Sequence, residues 1–501
     1  MPESLKKKTG TALIWSFADR GGQQVIQVIA ACVLARILFP EEFGLVAYLS
    51  VFSAVANMLQ ESGFSSALIR KQNVLRVEYS TVFYFNIAVS FIVYLLFFFC
   101  APILGRLYNE PVLTDLARFI FLAFIFTAFG IVQNIHLQKR LEFRKNTRIT
   151  VAAGSIAATV AIYMAMNGYG VWSLAAQLVV QSFVRTLLLW VLISWKPTFE
   201  FSWFHLREML PYSSKLLSIG VLGQIGANIF SNVIGKVFSD HQAGIYSKAH
   251  QFGIIPQSII ADGIKSVAFP VLSAVEEEER RIRVFRKIVR ITAFVAFPVA
   301  AMMITLSEPL VRILLTDKFI EAAPILQVLA IGGAIYPFFV LISVLMQTLG
   351  KSGQLLKIEV VKNVLLMLSI FVSIHFGVRG VVWGIVIVNY ITFLVGYYTV
   401  EKHFPYKLKE VVADILPYLA VSVISFIPVH FLNNVIVFDP IHLFNISIPS
   451  SFTLSVNVTS YMVLLAAQSL SGIIIYLLIT KILGSKILND CIDFFKGKGI
   501  K

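Results

Sequence analysis

Residues 79–105 read YSTVFYFNIAVSFIVYLLFFFCAPILG. No charge interrupts them, and about 20 mostly apolar residues in a helix are enough to cross the hydrocarbon core of a bilayer. The rest of the chain has the same character. Of its 501 residues, 57% are hydrophobic, 14% are charged and 42 are Phe, and the mean hydropathy is +0.81. A soluble chain carries about 25% charged residues, and no soluble core could hide this apolar excess. The composition is that of an integral membrane protein. It excludes disorder, a collagen-like fibre and a disulfide scaffold.

Working outward from that stretch with the same ruler gives fourteen candidate spans. The first six lie near 11–36, 42–66, 79–105, 113–137, 148–167 and 170–195. The next six lie near 208–236, 243–272, 288–307, 321–349, 355–376 and 380–400, and a final pair lies near 409–432 and 458–481. The loops test this division. With the N-terminus inside, about 31 of the 42 basic residues fall in inner loops and tails and about 7 outside, as the positive-inside rule requires. Both termini are therefore predicted to be cytoplasmic. The net charge of +15 belongs to these loops, so no nucleic-acid partner is expected. Cys32, Cys100 and Cys491 have no motif spacing, and neither a metal nor a cofactor is expected.

Sliding the chain against itself reveals a repeat at an offset of 200. Gln24 falls on Gln224, Arg36 on Lys236, Gly44 on Gly244, Phe52 on Phe252 and Gly63 on Gly263. Six helices per half is an even number, so both halves enter the membrane from the same side. They are parallel repeats about an axis along the membrane normal, an arrangement found in transporters that rock one half against the other. The predicted fold is an all-α polytopic membrane protein of about 14 transmembrane helices. Its divisions are an N-lobe at 1–200, a C-lobe at 201–403, and a terminal helix pair with a cytoplasmic tail at 404–501.

Polar residues inside the spans need an explanation, because a charge at the bilayer centre costs about 2.5–3.5 kcal/mol on insertion scales. Span one carries Ser16, Arg20, Gln24 and Gln27, and span two carries Ser50, Ser53, Asn57 and Glu61. Span seven offers Gln224, Asn228 and Asn232, and span eight offers Lys248, Gln251, Ser258, Asp262 and Lys265. Each set keeps near-helical spacing. A shared wettable cavity would satisfy them, with Arg20, Lys248 and Lys265 meeting an anion. Gln24, Gln27, Asn57, Gln224, Asn228 and Gln251 would line it, and Glu61 and Asp262 are candidates for ion coupling. Structural readings stand beside these. Asp262 and Lys265 could neutralise each other one turn apart, Lys248 could snorkel to the interface, and amides often only join helices.

The run Glu276–Arg290, EEEERRIRVFRKIVR, reads as an amphipathic inner segment anchored on anionic lipid. Gly350-Lys351-Ser352 lacks the upstream glycine of a P-loop. There is no zinc-protease motif, no paired-cysteine metal spacing and no nucleophile elbow. An enzyme is not expected.

Gly21-Gly-Gln-Gln through Leu34-Ala-Arg-Ile-Leu-Phe-Pro-Glu-Glu-Phe-Gly44 resembles the opening of the bacterial polysaccharide transporter family. So do Glu61-Ser-Gly-Phe-Ser-Ser-Ala-Leu-Ile-Arg-Lys71 and Ser80-Thr-Val-Phe-Tyr-Phe-Asn86. The likeness is densest over residues 1–190 and is strongest to the Wzx flippases of the WzxC-like branch. These belong to the multidrug/oligosaccharidyl-lipid/polysaccharide (MOP) exporter superfamily, with the MATE exporters and the lipid II flippase MurJ. The resemblance implies a flippase for undecaprenyl-diphosphate-linked oligosaccharide repeat units in the bacterial inner membrane, serving lipopolysaccharide, capsule or exopolysaccharide export. It also implies the phospholipid bilayer and a polymerase or other export component as partners. Basic residues on helices one and eight of MurJ match Arg20 and Lys248 or Lys265 in helix position only, and the terminal pair resembles MurJ's lipid-tail groove. Two rival readings are a MATE-like small-molecule antiporter, which would want an acidic cavity, and a membrane polysaccharide polymerase or ligase. The latter would need a charged outer loop, yet 433–457 holds only Asp439.

Overall fold

Helix boundaries follow local chemistry. The computed structural model describes residues 21–61, 64, 68, 71, 74–140, 142–275, 277–435, 457–485 and 487–488. They divide into two units, Met1–Gly244 and Ile245–Lys501.

The first unit opens with α1 (Gly21–Ile37), then α2 (Pro40–Tyr48) and α3 (Ser50–Glu61). Pro40 suits the first turn of α2 because its missing N–H would have no partner there. The Glu42 carboxylate reaches back to accept the Phe39 N–H at 2.7 Å. The next helices are α4 (Arg76–Tyr108), α5 (Val112–Lys139), α6 (Phe143–Met166), α7 (Val171–Leu192) and α8 (Trp203–Val237). Glu78 starts α4 as Glu42 starts α2, accepting the Leu75 N–H at 2.9 Å. Asn109 ends α4 in the left-handed region at φ 58°, which Asn tolerates better than most residues. Gly168 and Gly170, at φ 80° and 52°, turn the chain from α6 into α7. α5 packs on α4 and α7, and α8 packs on α3 and α4. One buried cluster gathers Leu49, Leu113, Leu116, Phe121 and Phe124. Another gathers Val82, Phe83, Val132, Ile135 and Leu206. The approach to α8 is tied down by two buried hydroxyls: Ser80 accepts the Thr198 N–H at 3.0 Å and Thr81 accepts the Ser202 N–H at 2.9 Å.

α9 (Asp240–Ala274) leads into the second unit. There follow α10 (Glu278–Thr305), the short α11 (Ser307–Leu314), α12 (Ala322–Gly333), α13 (Tyr336–Thr348), α14 (Ser352–Ser373) and α15 (Gly377–Glu401). The terminal pair is α16 (Leu408–Val435) and α17 (Asn457–Ile482). α10 packs along α16, which packs on α17. The core gathers Phe285, Val289, Phe338, Phe393 and Tyr397.

Among the described residues, ten stretches are long and apolar enough to cross a membrane. The expected number of about 14 is compatible with them. One stretch, Gly353–Glu401, holds both α14 and α15, α1 is a shorter apolar helix, and α8 and α9 have 35 residues each. At about 1.5 Å per residue, 35 residues exceed the hydrocarbon thickness.

Two features differ from the sequence reading. α10 begins at Glu278 rather than near 288. Its basic segment is not simply an anchor on lipid: Phe285 and Val289 are buried in the core, and Arg286 and Arg290 turn to Asp414 on α16. The loop after α10 contains α11, whose Leu306–Val311 side is buried while Arg312 pairs with Glu308 and Asp317.

Candidate substrate-facing site

Each unit carries its own share of the polar residues that sequence singled out. In the first unit the clearest arrangement is on α8. The Asn228 amide donates to the Gln224 carbonyl at 3.0 Å and to the Gln224 side chain at 3.3 Å. One turn on, Asn232 donates to the Asn228 carbonyl at 3.5 Å. Residues four apart stack along one helical face, so these amides form a ladder. It ends under two aromatic rings that sequence reasoning missed. The Tyr108 hydroxyl donates to Asn232 Oδ1 at 2.9 Å, and its ring stacks on Tyr48 at 4.3 Å. Tyr48 in turn donates to the Gly235 carbonyl at 3.3 Å. One more step of four reaches Lys236, which bonds the Leu107 carbonyl. The i, i+4 rhythm pointed to the ladder, whereas the tyrosines come from other helices and left no signal in the spacing.

α3 packs on α8. Asn57 on α3 is exposed, as is Gln27 on α1, and Gln24 is partly buried. Arg20 and the Glu61 side chain lie outside the described residues.

In the second unit, Lys248 is only 7% exposed, and its ammonium donates to Gln251 at 3.1 Å. Snorkelling to a surface is therefore not what this lysine does. Asp262 and Lys265, one turn apart on α9, are both exposed. Arg185 on α7 donates to Asn134 at 3.5 Å. His136 packs edge-on against Tyr79.

Sequence reasoning also passed over two charged clusters. Asp414, within the apolar stretch 409–432, is 5% exposed. It accepts Arg286 Nε at 2.9 Å, Arg290 Nη2 at 2.6 Å and the Tyr406 hydroxyl at 2.7 Å. Two guanidinium groups on one carboxylate clasp α10 to α16. Burial, and then the carboxylate it donates to, push the Tyr406 phenol well above its usual range, so it stays a donor. In the first unit, Glu78 pairs with Lys71 and lies 3.3 Å from His205 Nδ1. The bond to Glu78 raises the Lys71 pKa. Glu78, His205 and Glu208 bring one possible metal ligand each within 4.8 Å of one another. The Glu78 oxygens are already engaged by Lys71 and the Leu75 N–H, so this set reads as an ion-pair network.

A family model described as polysaccharide biosynthesis protein matches residues 33–324. The chain belongs to this family. The chain is 30% identical to the succinoglycan biosynthesis transport protein ExoT of Rhizobium meliloti (strain 1021). That match runs over 342 residues, 67% of this chain and 68% of ExoT. It is 24% identical over 407 residues to the lipopolysaccharide biosynthesis protein WzxC of Escherichia coli (strain K12), covering 80% and 82% of the two chains. Its fold is similar to that of the lipid II flippase MurJ in an inward closed conformation, with a TM-score of 0.74 over 94% of this chain and 98% of MurJ. At 16% identity that likeness concerns the fold alone. The resemblance read from the sequence agrees with the family match and with both relatives.

Proposed function

We propose that this protein is a flippase for oligosaccharide units linked to undecaprenyl diphosphate. It works in a bacterial cytoplasmic membrane with both termini inside, and it is a transporter with no catalytic step of its own. Membership of the family and relatives named for succinoglycan transport and lipopolysaccharide biosynthesis support the substrate class. The observation that carries the diphosphate is Lys248, an ammonium 7% exposed and held by an amide within an apolar helix array. Lysine is a usual partner of phosphate groups.

In the proposed cycle the repeats 1–200 and 201–403 rock by alternating access. Arg20, Lys248 and Lys265 meet the diphosphate, and the amides Gln24, Gln27, Asn57, Gln224, Asn228 and Gln251 face the sugars. Protonation or cation binding at Glu61 or Asp262 resets the lobes, while 404–501 holds the terminal pair. A strain lacking this gene, complemented with Lys248→Ala, Lys248→Arg or the parent chain, tests the reading. Lys248→Ala is expected to lose surface polysaccharide and to accumulate inner-leaflet lipid-linked units, with Lys248→Arg retaining part of the export. Unchanged export by Lys248→Ala at matched expression removes that lysine from the path. Normal polysaccharide in the deletion strain removes the function.

A further inference from the structure

The sequence repeat and the structure meet at one place. Pro40, Glu41 and Gly44 are the offset-200 counterparts of Asp240, His241 and Gly244. The first turn of α2 and the first turn of α9, both within the first unit, lie against each other. A Cβ on Gly44 would overlap the Asp240 backbone carbonyl, and a Cβ on Gly244 would overlap the Pro40 backbone carbonyl. The contact is reciprocal: position 44 meets the counterpart of 40, and position 40 meets the counterpart of 44. Such reciprocity is what a two-fold axis produces at a self-complementary contact. Across that axis the mates Glu41 and His241 bond at 2.7 Å. Two backbones this close leave room for neither a methyl group nor a water molecule.

A contact on the local two-fold that relates two repeats lies where the repeats must separate if that end opens. By the orientation proposed above, the α1–α2 and α8–α9 corners are at the outer face. We propose that the Gly44–Gly244 crossing, clasped by Glu41 and His241, is the gate at the outer end of the transport path. It has to part once in every cycle. Glycine is required at both positions because any side chain would hold the two turns apart. The clasp is a polar bond across the axis, and it is broken and remade with each opening, as are the bonds of Tyr48 to the Gly235 carbonyl and of Lys236 to the Leu107 carbonyl. Below the crossing, on the same unit, Tyr48 and Tyr108 close over the amide ladder of α8.

This inference rests on the transport reading, and its test separates the two. In a chain with Cys32, Cys100 and Cys491 replaced by Ser, Glu41→Cys and His241→Cys are joined by a short bis-methanethiosulfonate cross-linker, each thiolate displacing a sulfinate to form a reducible disulfide. Surface polysaccharide is expected to be lost on joining and restored on reduction. Export by the joined chain at the reduced rate overturns the gate. Separately, Asn228→Cys reports access to the ladder through labelling by a membrane-impermeant maleimide added outside. Gly244→Val is expected to speed that labelling about tenfold by disfavouring the closed crossing. Joining positions 41 and 241 is expected to slow it. Labelling unchanged in a folded Gly244→Val protein, or undiminished on joining, overturns the gate. If the parent chain itself fails to restore export to a deletion strain, the transport reading falls while the labelling still decides the gate.

Discussion

The amide ladder on α8 and the Asp414 clasp answer the same problem in opposite ways. Both place polar groups where lipid cannot satisfy them. On α8 the bonds are neutral, run from 2.9 to 3.5 Å, and leave Gln224 and Asn228 partly exposed. At Asp414 they are charge-assisted, run from 2.6 to 3.2 Å, and converge on a carboxylate that is 5% exposed. Charge-assisted bonds are roughly twice as strong as neutral ones. A saturated ionic cluster fixes two helices. A loose neutral ladder can exchange its partners for water or for sugar hydroxyls. We propose that the clasp serves stability and the ladder traffic, though both are polar sites in apolar helices.

The largest expected effect breaks the clasp. Asp414→Ala removes the carboxylate shared by Arg286 and Arg290 and leaves Arg286 only Glu410 at 3.6 Å; with both arginines about a third exposed, the loss falls toward the lower end of the about 3–5 kcal/mol for breaking a buried pair. The detergent-extracted protein should lose most of its monodisperse peak or unfold at a much lower temperature, with export falling in proportion to folded protein. If Asp414→Ala kept its thermal stability and lost export, the clasp would belong to the transport path and the division drawn here would fail. A smaller effect sharpens the same side. Tyr406→Phe removes one donor to Asp414 and keeps both arginines, so about 1.5–3 kcal/mol is at stake for a hydrogen bond to a charged group. Its unfolding temperature should fall between those of the parent and of Asp414→Ala.

Much of this was legible in the chain. Apolar length placed the helices, because the bilayer imposes one ruler on every span. The offset of 200 put Gly44 on Gly244 before the two were seen to meet. Other features were not legible, for identifiable reasons. Asp414 looked like a lone charge at the edge of an apolar run, and its arginine partners are 124 and 128 residues away. The early start of α10 was hidden because charge density masks a helix whose other face buries Phe285 and Val289. Tyr48 and Tyr108 are apolar by composition, and their role depends on which helices lie alongside α8. Lys248 was legible as an intramembrane cation but not as a buried one, since burial depends on neighbours that spacing along one helix does not name.

The smallest expected effect tests the ladder. Tyr108→Phe keeps the ring stacked on Tyr48 and removes only the hydroxyl that bonds Asn232 Oδ1. Hydrogen bonds between membrane helices contribute about 0.6 kcal/mol on average, so the unfolding temperature should barely move. Export should respond more than stability does, because Asn232 loses the partner that holds the top of the ladder and the amides below it gain freedom to reorient. The paired measurement is thermal unfolding against surface polysaccharide in the same preparation and strain. A Tyr108→Phe protein that loses stability as severely as Asp414→Ala would show the ladder to be a fixed structural seam. The contrast in bond length and charge between the two regions would then carry no functional meaning.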